Sequence, residues 1–131
     1  MSEENIEIVR RIYAAWTDGS PLESGLLDPE IEWVNPHDAV ETGVRSGLGE
    51  FGTAAEKLGD TFNELRVDFD RVIDAGDQVV VIGTLRARGR GSGIETERQQ
   101  GYVWTIRDGK AVRFQWFNKP EEALEAARVE R

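Results

Sequence analysis

The chain has 131 residues, an ordinary hydrophobic content, a net charge of −9 and no cysteine. That length suits one domain with a real core and is short for two. The missing cysteines exclude a disulfide framework, a thiolate nucleophile and a Cys-ligated zinc. The acidic balance argues against a nucleic-acid partner, which rewards clustered Lys and Arg. No apolar run approaches the roughly 20 residues of a membrane helix. The polar start Ser2-Glu3-Glu4-Asn5 is unlike a secretory signal, so the expectation is a cytoplasmic protein without membrane association.

From Glu3 to Thr17, Ile6, Val9, Ile12, Tyr13 and Trp16 recur at three- and four-residue steps and predict a helix. Asp18-Gly19-Ser20-Pro21 stops it. A short helical turn is expected from Leu22 to Leu27, ended by Asp28-Pro29. Ile31, Trp33 and Asn35 alternate as a first strand, halted by Pro36. The stretch from His37 to Gly47 reads as a loop with a short strand near Val44-Arg45. A second helix is expected from Leu48 to Phe62, with Leu48, Phe51, Ala55, Leu58 and Phe62 as its buried stripe. Gly49, Gly52 and Gly59 weaken that helix, so packing has to supply what propensity lacks.

Long strands follow from Leu65 to Ile73, Gln78 to Arg90, Ile94 to Ile106 and Lys110 to Asn118. The turns between them are Asp74-Ala75-Gly76-Asp77, Gly89-Arg90-Gly91-Ser92-Gly93 and Arg107-Asp108-Gly109. Pro120 to Arg128 closes as a helix, with Pro120 in its first turn and two Glu beside it. Helices first and an antiparallel meander after them make an α+β domain covering residues 1–131, without repeat or linker.

A two-residue loop at Gly91-Ser92 sets Arg88 opposite Glu95 and Arg86 opposite Glu97. The other side then pairs Gly83 with Gln100, Val81 with Tyr102 and Val79 with Trp104. A slip of one residue mixes charges with apolar groups, so this register is favoured. For the next hairpin, a two-residue Asp108-Gly109 loop sets Trp104 opposite Arg113. A three-residue Arg107-Asp108-Gly109 loop instead pairs Trp104 with Val112, Tyr102 with Phe114 and Gln100 with Trp116, and is preferred.

The resulting inner face carries Val79, Val81, Gly83, Leu85, Gln100, Tyr102, Trp104, Phe114, Trp116 and Asn118. Asn35 and Gln100 share the phase of the aromatics, and a mostly apolar face with a few amides is what lines a small-molecule pocket. Gly83 is expected to leave a hole at the sheet centre. The competing reading is a face that simply packs on the helices. The outer face, with Val80, Ile82, Thr84, Val103, Thr105, Gln115 and Phe117, is too apolar at its middle to face water alone, so a sheet-to-sheet homodimer is expected.

Five segments carry a family resemblance: Val9-Arg10-Arg11-Ile12-Tyr13-Ala14-Ala15-Trp16, Leu27-Asp28-Pro29-Glu30-Ile31-Glu32-Trp33, Arg45-Ser46-Gly47, Asp74-Ala75-Gly76-Asp77-Gln78-Val79, and Trp104-Thr105-Ile106-Arg107-Asp108-Gly109-Lys110. With them the chain resembles the SnoaL-like group of the nuclear transport factor 2-like superfamily, related to ketosteroid isomerase, over nearly its whole length. The resemblance implies a cone: a curved mixed or antiparallel sheet wrapped around a pocket, with N-terminal helices over its mouth, often dimeric. Members include isomerases, polyketide cyclases, dehydratases, epoxide hydrolases and proteins without known chemistry. The isomerase's base, an aspartate before a proline, corresponds to Asn35 before Pro36, and an amide cannot accept a proton as a carboxylate does. Its first-helix tyrosine falls on Ile12, beside Tyr13. Its protonated aspartic acid falls on or near Tyr102, which retains a donor hydroxyl. Steroid isomerisation by that mechanism is therefore not expected.

The expected pocket is lined by Tyr13, Trp16, Trp33, Asn35, Phe51, Phe62, Val81, Gly83, Gln100, Tyr102, Trp104, Phe114, Trp116 and Asn118. His37, the sole histidine, followed by Asp38, is either a base at the pocket mouth or a loop residue in water. No cofactor or metal is expected, since one histidine excludes a His-rich site and no spacing supports a carboxylate site. The glycine run before Ile94 is a hairpin tip, lacking the helix a phosphate loop needs. Arg86, Arg88 and Arg90 are answered by Glu95 and Glu97. Three readings stand: a protein binding a cyclic or planar apolar molecule, a cofactor-independent isomerase, cyclase, dehydratase or hydrolase using His37 or Asp38 as base, and a non-catalytic dimerisation module.

Overall fold

A computed structural model describes residues 2–18, 25–39 and 43–127, except for the side chains of residues 2, 16–18 and 58–64. In chain order the elements are α1 (Ser2–Asp18), β1 (Leu27–Asn35), β2 (Gly43–Ser46), α2 (Leu48–Thr61), β3 (Phe62–Ala75), β4 (Gln78–Gly89), β5 (Glu95–Arg107), β6 (Lys110–Phe117) and α3 (Pro120–Ala126). The six strands form one mixed sheet in the order β2-β1-β6-β5-β4-β3, parallel only where β1 meets β6. No described helix is long and apolar enough to cross a membrane.

The expected helical turn ending at Asp28-Pro29 is not what forms at its described end. Leu27 already opens β1, which carries Asp28 and Pro29 within it. Pairing with β6 is irregular between Leu27 and Glu32, so Pro29, which has no N–H to give, sits where the ladder is interrupted.

Helices α1 and α2 lie on the inner face. Val9, Ile12 and Tyr13 from α1 and Phe51 and Ala54 from α2 join Ile31, Trp33, Val79, Val81, Tyr102, Trp104 and Phe114 in one core. The α2 stripe differs from expectation at its start: Leu48 is exposed and Ala54 is buried. Leu58 and Phe62 have side chains outside the described residues, as does Trp16.

The outer face has two halves. Val80, Ile82, Val103 and Phe117 are buried beneath Ala123 and Leu124 of α3. The apolar middle that pointed to a homodimer is thus covered by the chain's own last helix. Gly101 permits this seat: a Cβ there would stand 2.5 Å from the Ala123 Cβ and 3.2 Å from the Pro120 Cα. Beyond α3 the same face turns ionic. Arg86 bridges Asp68 and Glu97, Arg88 reaches Glu95 at 2.7 Å, and the Thr84 hydroxyl donates to Asp70 at 2.6 Å.

The β4–β5 register is the expected one, pairing Arg88 with Glu95, Arg86 with Glu97, Gly83 with Gln100, Val81 with Tyr102 and Val79 with Trp104. The strands separate one pair earlier than a two-residue loop requires, at Gly89 and Ile94. The β5–β6 register differs from expectation. Arg107 pairs with Lys110 across a two-residue Asp108-Gly109 turn, both residues at positive φ (52° and 77°), as a type I′ turn demands. A bulge at Val112 then shifts the ladder, so Trp104 faces Phe114 and Tyr102 faces Trp116. The bulge does what the longer loop was expected to do: it keeps the aromatics on one face.

Candidate functional site

The inner face divides along its length into a closed aromatic core and a polar rim. In the core the Trp104 ring lies 4.5 Å from Phe114 and 5.7 Å from Tyr13, and Trp33 lies 4.8 Å from Phe114 and 5.2 Å from Phe51, between centroids. Trp104 and Val81 are wholly buried. The Trp104 Nε1–H donates to the Tyr13 hydroxyl at 3.1 Å, and burial holds Tyr13 protonated, its pKa pushed well up. Tyr102 is raised too, through burial.

Gly83 leaves no hole. A Cβ there would meet Val67 Cγ1 at 2.7 Å, the Asp68 carbonyl oxygen at 3.2 Å and Tyr102 Cε2 at 3.4 Å. The missing side chain is what lets Val67 and the Tyr102 ring close over the strand, a correction to the open centre expected at that position.

Toward the start of β5 and the end of β6, polar groups converge. Asn35 Oδ1 accepts from the Trp33 and Trp116 indoles, each at 2.9 Å. The β1–β6 register produces this by setting Trp33 beside Phe114 and Val34 beside Gln115, hence Asn35 beside Trp116. A second series runs outward: the Tyr102 hydroxyl donates to Gln100 Oε1 at 2.8 Å, Gln100 Nε2 to Asn118 Oδ1 at 3.3 Å, and Asn118 Nδ2 to Asp38 Oδ1 at 3.2 Å. Gln100 is the one buried polar side chain among the described residues, and this series satisfies it.

Pro36 is buried and turns the chain out of β1, leaving His37 and Asp38 exposed. His37 Nε2 stands 3.2 Å from Glu122 Oε2 of α3, with 78% of the His37 side chain exposed. The carboxylate beside the His37 ring is this residue, 85 positions along the chain. No sequence pattern marked Glu122. His37, Asp38 and Glu122 bring one ligand atom each within 4.8 Å of one another, the one described set able to offer a divalent cation three ligands.

Of the expected site residues, the structure gathers Trp33, Asn35, Gln100, Tyr102, Trp116 and Asn118 at the rim, with His37 and Asp38 just outside. Tyr13, Phe51, Val81, Trp104 and Phe114 lie deeper, packed on one another. Trp16 and Phe62 lie outside the described side chains. Toward the other end of β5, a groove of about 640 Å³ is lined by Glu4, Asn5, Ile8, Asp74, Asp77, Ile106 and Asp108 and includes none of the expected residues.

A fold of this topology with a polar rim on its inner face defines a class, and comparison with known proteins supplies the family. Residues 9–114 match the SnoaL-like domain, and the chain belongs to that family. None of the curated proteins matches it. An NTF2-like protein of unknown function from Burkholderia pseudomallei is 25% identical, with a TM-score of 0.77 over 93% of this chain and 95% of that one. TerC, co-crystallised with polyporic acid, is also 25% identical, with a TM-score of 0.77 over 96% and 99% of the two chains. A putative SnoaL-like polyketide cyclase from Jannaschia sp. CCS1 shares the fold at 18% identity, with a TM-score of 0.77 over 99% and 95%.

Proposed function

We propose that the protein binds a small, cyclic or planar, mostly apolar molecule at the rim of its inner sheet face. The observation that carries this reading is the position of Asn35, Trp116 and Asn118. They are half-buried, hydrogen-bonded side chains lined up beside a wall of buried rings. Packing alone is served by apolar residues, and a buried amide costs free energy unless it is partnered. Holding several amides in two neighbouring hydrogen-bonded series at such a boundary is the chemistry of recognition. The co-crystallisation of the similar TerC with polyporic acid supports the same reading.

A second reading, catalysis, is favoured by the juxtaposition of His37, Asp38 and Glu122 at the same rim. It is a cofactor-independent proton transfer or addition–elimination with His37 or Asp38 as base and the amides orienting the substrate. A thermal-shift screen of planar cyclic compounds tests the first reading. Hits should raise Tm, and Trp116→Ala should abolish the rise. A screen without hits, or shifts that survive Trp116→Ala, argues against it. For the second reading, His37→Ala and Asp38→Ala should retain ligand-induced stabilisation, and one of them should lose turnover of a converted hit.

A further inference from the structure

We infer that Asn35 is the specificity-determining residue of the rim, locked by two indoles so that it offers only hydrogen-bond donors and selects ligands carrying an uncharged carbonyl acceptor. This rests on the small-molecule reading above and deepens it.

An asparagine amide ordinarily offers an acceptor at one end and two donors at the other, and it rotates to suit its partners. Indole N–H groups only donate. Trp33 Nε1 and Trp116 Nε1 both meet Asn35 Oδ1, at 2.9 Å each. Turning the amide over would set its NH₂ against two N–H donors and lose both bonds. The carbonyl is therefore held against the indoles, and Nδ2 is held away from them. Among the described residues that Nδ2 makes no hydrogen bond, and no side-chain nitrogen or oxygen there is both buried and unpartnered. Nδ2 is therefore not sealed from solvent.

The remaining rim groups are partly committed to one another. The Tyr102 proton goes to Gln100, which donates to Asn118, which donates to Asp38. The donor expected of Tyr102 is thus turned along the sheet, and Asn35 is the rim amide with both N–H donors unspent, whereas Gln100 and Asn118 each spend one in this series. The carboxylates of Asp38 and Glu122 sit at the same rim on a chain of net charge −9, which disfavours an anionic acceptor. Among neutral acceptors, a carbonyl with its two lone pairs suits the NH₂ of a primary amide.

The test uses a matched planar pair, 9-fluorenone and fluorene, which differ by the carbonyl. The full-length protein should bind fluorenone about tenfold more tightly, the effect of one good hydrogen bond. In ¹⁵N-labelled protein the Asn35 side-chain NH₂ resonance should move with fluorenone and not with fluorene. Asn35→Asp retains an acceptor for both indoles but has no donors. It should keep its fold and the indole N–H shifts of Trp33 and Trp116 while losing the preference for fluorenone. Equal affinities in the wild-type protein with an unmoved Asn35 resonance overturn this inference and leave the binding site standing. Absence of binding by either compound, with unmoved rim resonances, overturns the small-molecule reading and this inference with it. Should Asn35→Asp fail to fold, the wild-type resonance and the affinity ratio still decide the matter.

Discussion

Tyr13 and Tyr102 lie within one aromatic cluster, their ring centroids 6.0 Å apart. Burial is the first cause of the raised pKa of each. For Tyr13 the neighbouring Tyr102 adds to it, and the hydrogen bond from Trp104 works the other way. In the unfolded chain both titrate near the ordinary 10.0. The folded state therefore holds protons that the unfolded state has released above that pH. Their contribution to stability is fully present below about pH 10 and declines as pH rises beyond it, by about 1.4 kcal/mol per pH unit for each tyrosine. The chain contains only these two tyrosines, so a phenolate absorbance titration reads them without interference. The expected trace is flat through pH 10 and rises together with loss of the near-ultraviolet circular dichroism. A rise near pH 10 with the fold intact would contradict the closed core described above.

At the scale of elements, the seat of α3 on the sheet depends on Gly101. Adding one methyl group places it 2.5 Å from the Ala123 Cβ and 3.2 Å from the Pro120 backbone, so the helix has to move. At Gly83 the tightest neighbour is the Val67 side-chain methyl at 2.7 Å, which can rotate away. Gly101→Ala is expected to lower unfolding free energy by about 1–3 kcal/mol and Gly83→Ala by less, measured by urea denaturation with unchanged m-values. The hairpins show how far elements are legible in sequence. In β4–β5, Arg86 and Arg88 face Glu97 and Glu95 while Val81 and Val79 face Tyr102 and Trp104, so one register alone separates charge from apolar groups. In β5–β6, a three-residue loop without a bulge and a two-residue loop with one at Val112 both keep the aromatics inward. Alternation cannot distinguish them, because they differ by two residues, a full period of the strand. The ladder and the turn decide together.

For the molecule as a whole, the sheet is covered by α1 and α2 on one face and by the short α3 on part of the other. Leu124 and Ala123 close the apolar patch of Val80, Ile82, Val103 and Phe117. Leu124→Glu is expected to expose that patch and drive concentration-dependent self-association in sedimentation velocity, with the wild-type protein as reference. If the variant sediments as the wild type does, then α3 does not shield this face from association. The ionic half of the face, with Arg86 between Asp68 and Glu97, needs no such cover. The rim site has the same whole-chain character. Asn35 and Trp116 meet because β1 inserts beside β6, and His37 meets Glu122 because α3 returns over the sheet.

What the amino-acid order determined by itself was the α+β class, the aromatic inner face, the β4–β5 register and the shared phase of Gln100, Trp116 and Asn118 with the aromatics of the closing hairpin. Those follow from period-two alternation and local charge pairing, which act between near neighbours or along one hairpin. Only the tertiary structure decided that Gly83 is crowded rather than open, that α3 packs on the apolar middle of the outer face, and that the Asn35 carbonyl takes both indole N–H groups. Each depends on atoms brought together from distant parts of the chain, where close packing and the one-way donation of an indole N–H leave a single arrangement.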